Sequence, residues 1–73
     1  MSADLLREAG EALYGSLWQS ELARALEVSD RTVRRWTAGD TSIPAGVWPE
    51  IRDLAQSRRV LLANISRRLK GNP

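Results

Sequence analysis

Cysteine and histidine are both absent from this chain of 73 residues. Their absence excludes a disulfide framework, a zinc site built on those ligands, a thiol nucleophile and the commonest general base. The carboxylates are scattered rather than paired, so the chain is not expected to be an enzyme or to carry a metal, a cofactor or a small-molecule ligand. Long apolar runs are missing too. No stretch approaches the roughly 20 residues of a membrane span. The start, MSADLLREAGEALYG, mixes acids with leucines where a signal peptide would join a basic segment to an apolar one. A cytoplasmic protein with no membrane partner is the expectation. Strand-like alternation, internal repeats and low-complexity linkers are also lacking, which leaves an all-α reading of residues 1–73 as a single domain.

Net charge is small overall and unevenly placed. The formal net charge is +2, with arginine supplying ten of the eleven cations. Up to Val28 two arginines face five acids, whereas from Ser29 onward nine cations face four acids. A local cationic excess of this kind matters more to a polyanionic partner than the total does. Size adds a second constraint. A chain this short buries only about 60% of the surface that its unfolded form exposes, so its core is marginal and self-association is favoured as a source of further burial.

Helical periodicity divides the chain into five segments. Leu6, Ala9 and Leu13 share a face of a first helix, Ala3 to Tyr14, which Gly15 ends. Ser16 and Gln19 fit a capping box for a second helix, Leu17 to Leu26, whose buried stripe is Leu22, Ala23 and Leu26. Ser29 is a strong N-cap for a third helix, Asp30 to Ala38, closed by Gly39. Pro44 and Pro49 each suit the first position of a helix, which predicts a short turn or helix at Ala45 to Trp48 and a new start at Pro49. From there Ile51, Leu54, Ala55, Leu61, Leu62, Ile65 and Leu69 follow helical spacing over residues 49–69, with Gly71 and Pro73 as the stop.

The third helix carries the chemistry. At about 100° per residue, Arg31, Arg34 and Arg35 fall on one side and Val33 and Trp36 on the other, so one face is cationic and the opposite face is an anchor. A second short helix precedes it, with small Ala23 for close packing and apolar Val28 in the connection. Together these features make residues 17–38 a helix-turn-helix candidate, in which the first helix braces on the phosphate backbone and the second enters the major groove.

On these residues, LWQSELARALEVSDRTVRRWTAG resembles the Cro and CI-type, lambda-repressor-like helix-turn-helix domains. The resemblance is close over the two motif helices and loose over the five-helix outline with its long C-terminal helix. It implies a dimeric, sequence-specific regulator of double-stranded DNA, such as the compact autoregulators of phages and mobile elements, associated with the nucleoid. Repression by promoter occlusion and a palindromic operator are the corresponding expectations. Gln19 matches the glutamine that typically contacts a backbone phosphate. Asp30, Arg31, Thr32, Arg34 and Arg35 match the positions that typically meet base edges. Two positions depart from the pattern: Glu27 stands where glycine is common, and Trp18 stands where a capping threonine or serine is common.

The residues themselves refine these roles. Arginines pair with guanine O6 and N7, which favours guanine-containing half-sites. Asp30 either accepts from a cytosine amine or caps the helix and orients an arginine, the second being favoured. Ser20 and Ser29 are further phosphate candidates. Trp18 either packs on the first helix or lays its indole on the DNA backbone and donates its N–H to a phosphate. Trp36 reads as core and Trp48 as a plug between the last two helices. Arg58 and Arg59 reach phosphates only if a dimer brings them to the duplex flanks. Leu61, Leu62, Ile65 and Leu69 either cover the chain's own core or form a dimer interface. The dimer is favoured, with Ile65 and Leu69 expected to be the more exposed pair. Two other functions fit the same cationic face: a protein-interaction module such as an antitoxin or phage adaptor, and a nonspecific architectural DNA binder.

Overall fold

All regular structure in the computed structural model, which describes residues 2–71, is helical. Among the described residues there are four α-helices, α1 (Ala3–Tyr14), α2 (Trp18–Leu26), α3 (Asp30–Ala38) and α4 (Val47–Gly71), with a turn of 3-10 helix at Gly15–Leu17. Pro73, read as part of the terminal stop, lies outside the described residues. No helix among the described residues is long and apolar enough to cross a membrane.

Local sequence explains most of the helix ends. Ser2 caps α1 by accepting from the Leu5 amide at 3.2 Å. Ser29 caps α3 by accepting from the Thr32 amide at 3.1 Å. Two helices end in the same hydrogen-bonded pattern, in which a left-handed residue turns the chain and two amides fold back onto free carbonyls. At α3 the left-handed residue is Gly39, and the Asp40 amide reaches the Arg35 carbonyl at 3.0 Å. At α2 it is Glu27, with φ 58° and ψ 43°, and the Val28 amide reaches the Ala23 carbonyl at 2.9 Å. Glu27 therefore pays the steric cost that glycine avoids.

The expected capping box at Ser16 and Gln19 does not form. Leu17 is the N-cap of α2 and no side chain caps it. Instead a 3-10 turn at Gly15–Leu17 takes in Ser16 and runs straight into α2. Of the short helix or turn expected at Ala45 to Trp48, the structure has the turn, and no separate helix precedes α4. A turn closed by the Val47 amide on the Pro44 carbonyl at 3.1 Å leads directly into α4, with Pro49 as its third residue. Proline is tolerated there because the amide that it lacks belongs to the first turn, which has no partner within the helix.

Leu6, Leu13, Trp18, Leu22, Ala23, Val33, Trp36 and Ile51 form the buried core. It is made by α1, α2, α3 and the first turns of α4, whereas every residue from Leu61 to Gly71 is exposed. The molecule is therefore long, 50 × 21 × 21 Å, with a globular head and a projecting helix. Trp48 is half-buried against the core, as a plug at the start of α4 rather than between two helices.

One close approach holds α1 to α2. The Trp18 ring lies on the backbone of Gly10, where a Cβ would collide with Trp18 Cε3 and Cδ2. The position can only be glycine while that ring stays in place. Gly10→Ala is expected to lower stability by about 1–3 kcal/mol through overpacking, despite the better helix propensity of alanine. Glu27→Gly should raise it by about 0.5–1 kcal/mol, the relief of left-handed strain less the added freedom of the unfolded chain. Thermal melts of the two variants should shift in opposite directions.

Candidate nucleic-acid interface

The connection between α2 and α3 is three residues long, and its middle residue, Val28, packs against the core. With Val33 fully buried and Trp36 at 5% exposure, α3 is held by one face. The opposite face carries Arg31, Arg34 and Arg35, all exposed. The anchoring and the cationic surface thus follow from one nine-residue helix with two faces.

Hydrogen bonds distinguish the residues around it. Asp30 accepts from the Ser20 hydroxyl at 3.0 Å, a link from α2 to the first turn of α3. The same carboxylate oxygen lies 3.6 Å from the Arg34 guanidinium. Asp30 is therefore engaged from both sides and holds an arginine, whereas the capping also expected of it is done by Ser29. Arg34 is drawn back towards the start of α3, although both groups remain substantially exposed and such a pair contributes little stability. Arg31 and Arg35, one turn apart, make no ion pair among the described residues. Their charge is the uncompensated part of the face.

The serine and threonine candidates serve the helix end. Ser29 Oγ accepts from the Thr32 amide and lies 2.9 Å from Thr32 Oγ1. Gln19 is half-buried on α2 next to exposed Ser20. Ser20, bonded to Asp30, therefore borders the arginine face from the α2 side.

Two expectations need correction. Trp18 is a core residue at 6% exposure, its ring packed on Gly10, and is withdrawn as a phosphate contact. The exposure expected along the last helix holds for Leu69 and fails for Ile65. Ile65 is the least exposed of its group at 39%, against 53% for Leu61, 56% for Leu62 and 71% for Leu69. None of the four covers the chain's own core. Arg58 is half-buried, with its guanidinium carbon 5.6 Å from the centre of the Tyr14 ring, a cation–π arrangement that holds it against the head.

One residue of the face escaped the sequence reading. Ala38 is exposed and lies four residues after Arg34 and seven after Arg31, hence on the same side of α3. Its spacing was the available signal, but a small apolar residue next to a terminating glycine reads as part of the helix end.

Ser29→Ala is expected to cost about 1 kcal/mol by leaving the Thr32 amide without its acceptor, and Ser29→Asp should retain the cap. Chemical denaturation of the two variants checks this. Comparison with protein-family models, curated proteins and solved structures finds no match.

Proposed function

We propose that the chain is a sequence-specific double-stranded DNA-binding regulator of the helix-turn-helix type, acting as a dimeric repressor that occludes a promoter. The observation that carries this reading is the state of α3: anchored through Val33 and Trp36, capped at Ser29, and presenting Arg31 and Arg35 without carboxylate partners among the described residues. The resemblance of residues 17–38 to lambda-repressor-like domains supports it.

In this mechanism α2 lies across the phosphate backbone and the N-terminal half of α3 enters the major groove. Arg31 and Arg35 read guanines through paired hydrogen bonds to O6 and N7. Arg34, drawn back by Asp30, is assigned to a phosphate. Asp30 is assigned to positioning rather than to a base, because Ser20 and Arg34 already occupy it. Gln19 and Ser20 hold the backbone from the α2 side, and the Ala38 methyl is available to a thymine methyl. Thr32 and Ser29 keep the start of α3 in shape.

Selection of bound duplexes from a random pool gives the site and its symmetry. Against that site, Arg31→Ala or Arg35→Ala should each weaken binding by about 1–3 kcal/mol and relax preference at one base pair. Arg34→Ala should weaken all sequences alike and reduce the salt slope by about one. Failure to enrich any sequence, with equal binding to random duplex, would favour an architectural binder. Absence of duplex binding would favour a protein-interaction module.

A further inference from the structure

The seam of α4 outruns the head that covers it. Ile51, Ala55, Arg58, Leu62, Ile65 and Leu69 recur in alternating steps of four and three residues, the 3.5-residue repeat of a helix–helix contact. The head uses the first part: Ile51 is buried, and Arg58 lies over the Tyr14 ring. Past Arg58 the line continues through exposed Leu62, Ile65 and Leu69, a surface shaped for a helix. Its start is concave. There α1 and α4 enclose an open, mainly apolar groove of about 370 Å³, with small Ala9, Ala12 and Ala55 on its walls and Leu62 at its end. Leu5, one turn before Ala9 and 43% exposed, extends the α1 wall.

Charge decides what fits. Arg58 and Arg59 line the groove. In the repeat, Arg59 falls on one flank of the seam and Arg68 on the other. Arg59, Arg67, Arg68 and Lys70 make no ion pair among the described residues, and no acidic side chain follows Asp53. The α4 of a second copy, laid along this seam, would bring arginine and lysine to flanks that already carry them. A flat lipid surface would meet the tip but leave the groove unfilled. A nucleic acid would neutralise the arginines and leave the leucines in water. A helix that carries carboxylates beside an apolar stripe satisfies both features at once.

We infer that the α1–α4 groove and the stripe beyond it dock an acidic amphipathic helix of another protein. The helix lies along α4 with large apolar side chains in the seam, opposite small Ala55 and between Leu62, Ile65 and Leu69, and with carboxylates at Arg59 and Arg68. Ala55 to Leu69 spans roughly 21 Å, so about four turns of partner are held. On α1, Glu8 lies one turn before Ala12 and keeps the partner's acidic flank towards α4. The inference does not rest on the proposed function; the dimer in that reading then needs a contact outside this seam.

The probe is a fluorescein-labelled peptide of about three heptads, with leucine at the two seam positions and glutamate on both flanks, whose like charges prevent self-pairing at neutral pH. A twin peptide carries lysine on the flanks. In fluorescence anisotropy with the full chain, the glutamate peptide should bind, and the lysine peptide should bind on the order of a hundredfold more weakly. Arg59→Glu combined with Arg68→Glu should reverse that preference. Ala12→Trp, which fills the groove, and Ile65→Asp should each weaken the glutamate peptide by on the order of tenfold, with helical circular dichroism retained. Arg31→Ala combined with Arg35→Ala should leave peptide binding unchanged. Equal binding of the two peptides, binding of neither, or a preference that the double exchange leaves intact would overturn the inference. In place of peptide binding, a doubled mass in sedimentation equilibrium that Ile65→Asp abolishes would assign the seam to a second copy. Ile65-dependent binding to phosphatidylglycerol vesicles, again without peptide binding, would assign it to a lipid surface. The peptide pattern without duplex binding would sink the DNA reading alone, and duplex binding without the peptide pattern would sink this inference alone.

Discussion

The contact between the Trp18 ring and the Gly10 backbone governs how the head is built. It lets α1 and α2 approach closely in a chain too small to bury many large side chains. A tryptophan packed on a helix backbone removes much apolar surface from water with one residue. The glycine that permits this costs about 1 kcal/mol of helix propensity, less than the indole gains by burial. With α2 held in this way, Leu22 and Ala23 form the floor on which Val33 and Trp36 of α3 settle.

The outward face of α3 follows from that packing. Once Val33 and Trp36 are buried, a helix of nine residues has no freedom to turn its arginines elsewhere. The three-residue connection limits it further, and Glu27 accepts a left-handed backbone to make the connection possible. Strain is concentrated at one exposed residue, where its cost is of order 1 kcal/mol, so the neighbouring helices keep regular geometry. The bond from Ser20 to Asp30 then joins the helices on their exposed side, where α2 and the arginine face meet.

Some of this was legible in the residues. The bounds of α1 and α3 can be read from Ser2, Gly15, Ser29 and Gly39, because capping is a local hydrogen-bonding event between neighbours in sequence. The opposed faces of α3 and the left-handed strain at Glu27 are equally local. The start of α2 was misread because serine and glutamine at capping-box spacing stand where the chain instead takes a 3-10 entry. Pro49 was misread as a helix start because proline fits several positions of a first turn.

What the sequence determined by itself is therefore periodicity, capping and the pattern of charge: an all-helical chain with a cationic helix face and a C-terminal apolar stripe longer than its own domain. Tertiary structure decided which apolar residues meet. It placed Trp18 on Gly10 rather than at the surface, chose Asp30 as the partner of Ser20, and set the point near Arg58 where α4 leaves its own core. These outcomes depend on residues between eight and forty-four positions apart in the chain, brought together only when the helices pack. Local propensity carries no information about such distances.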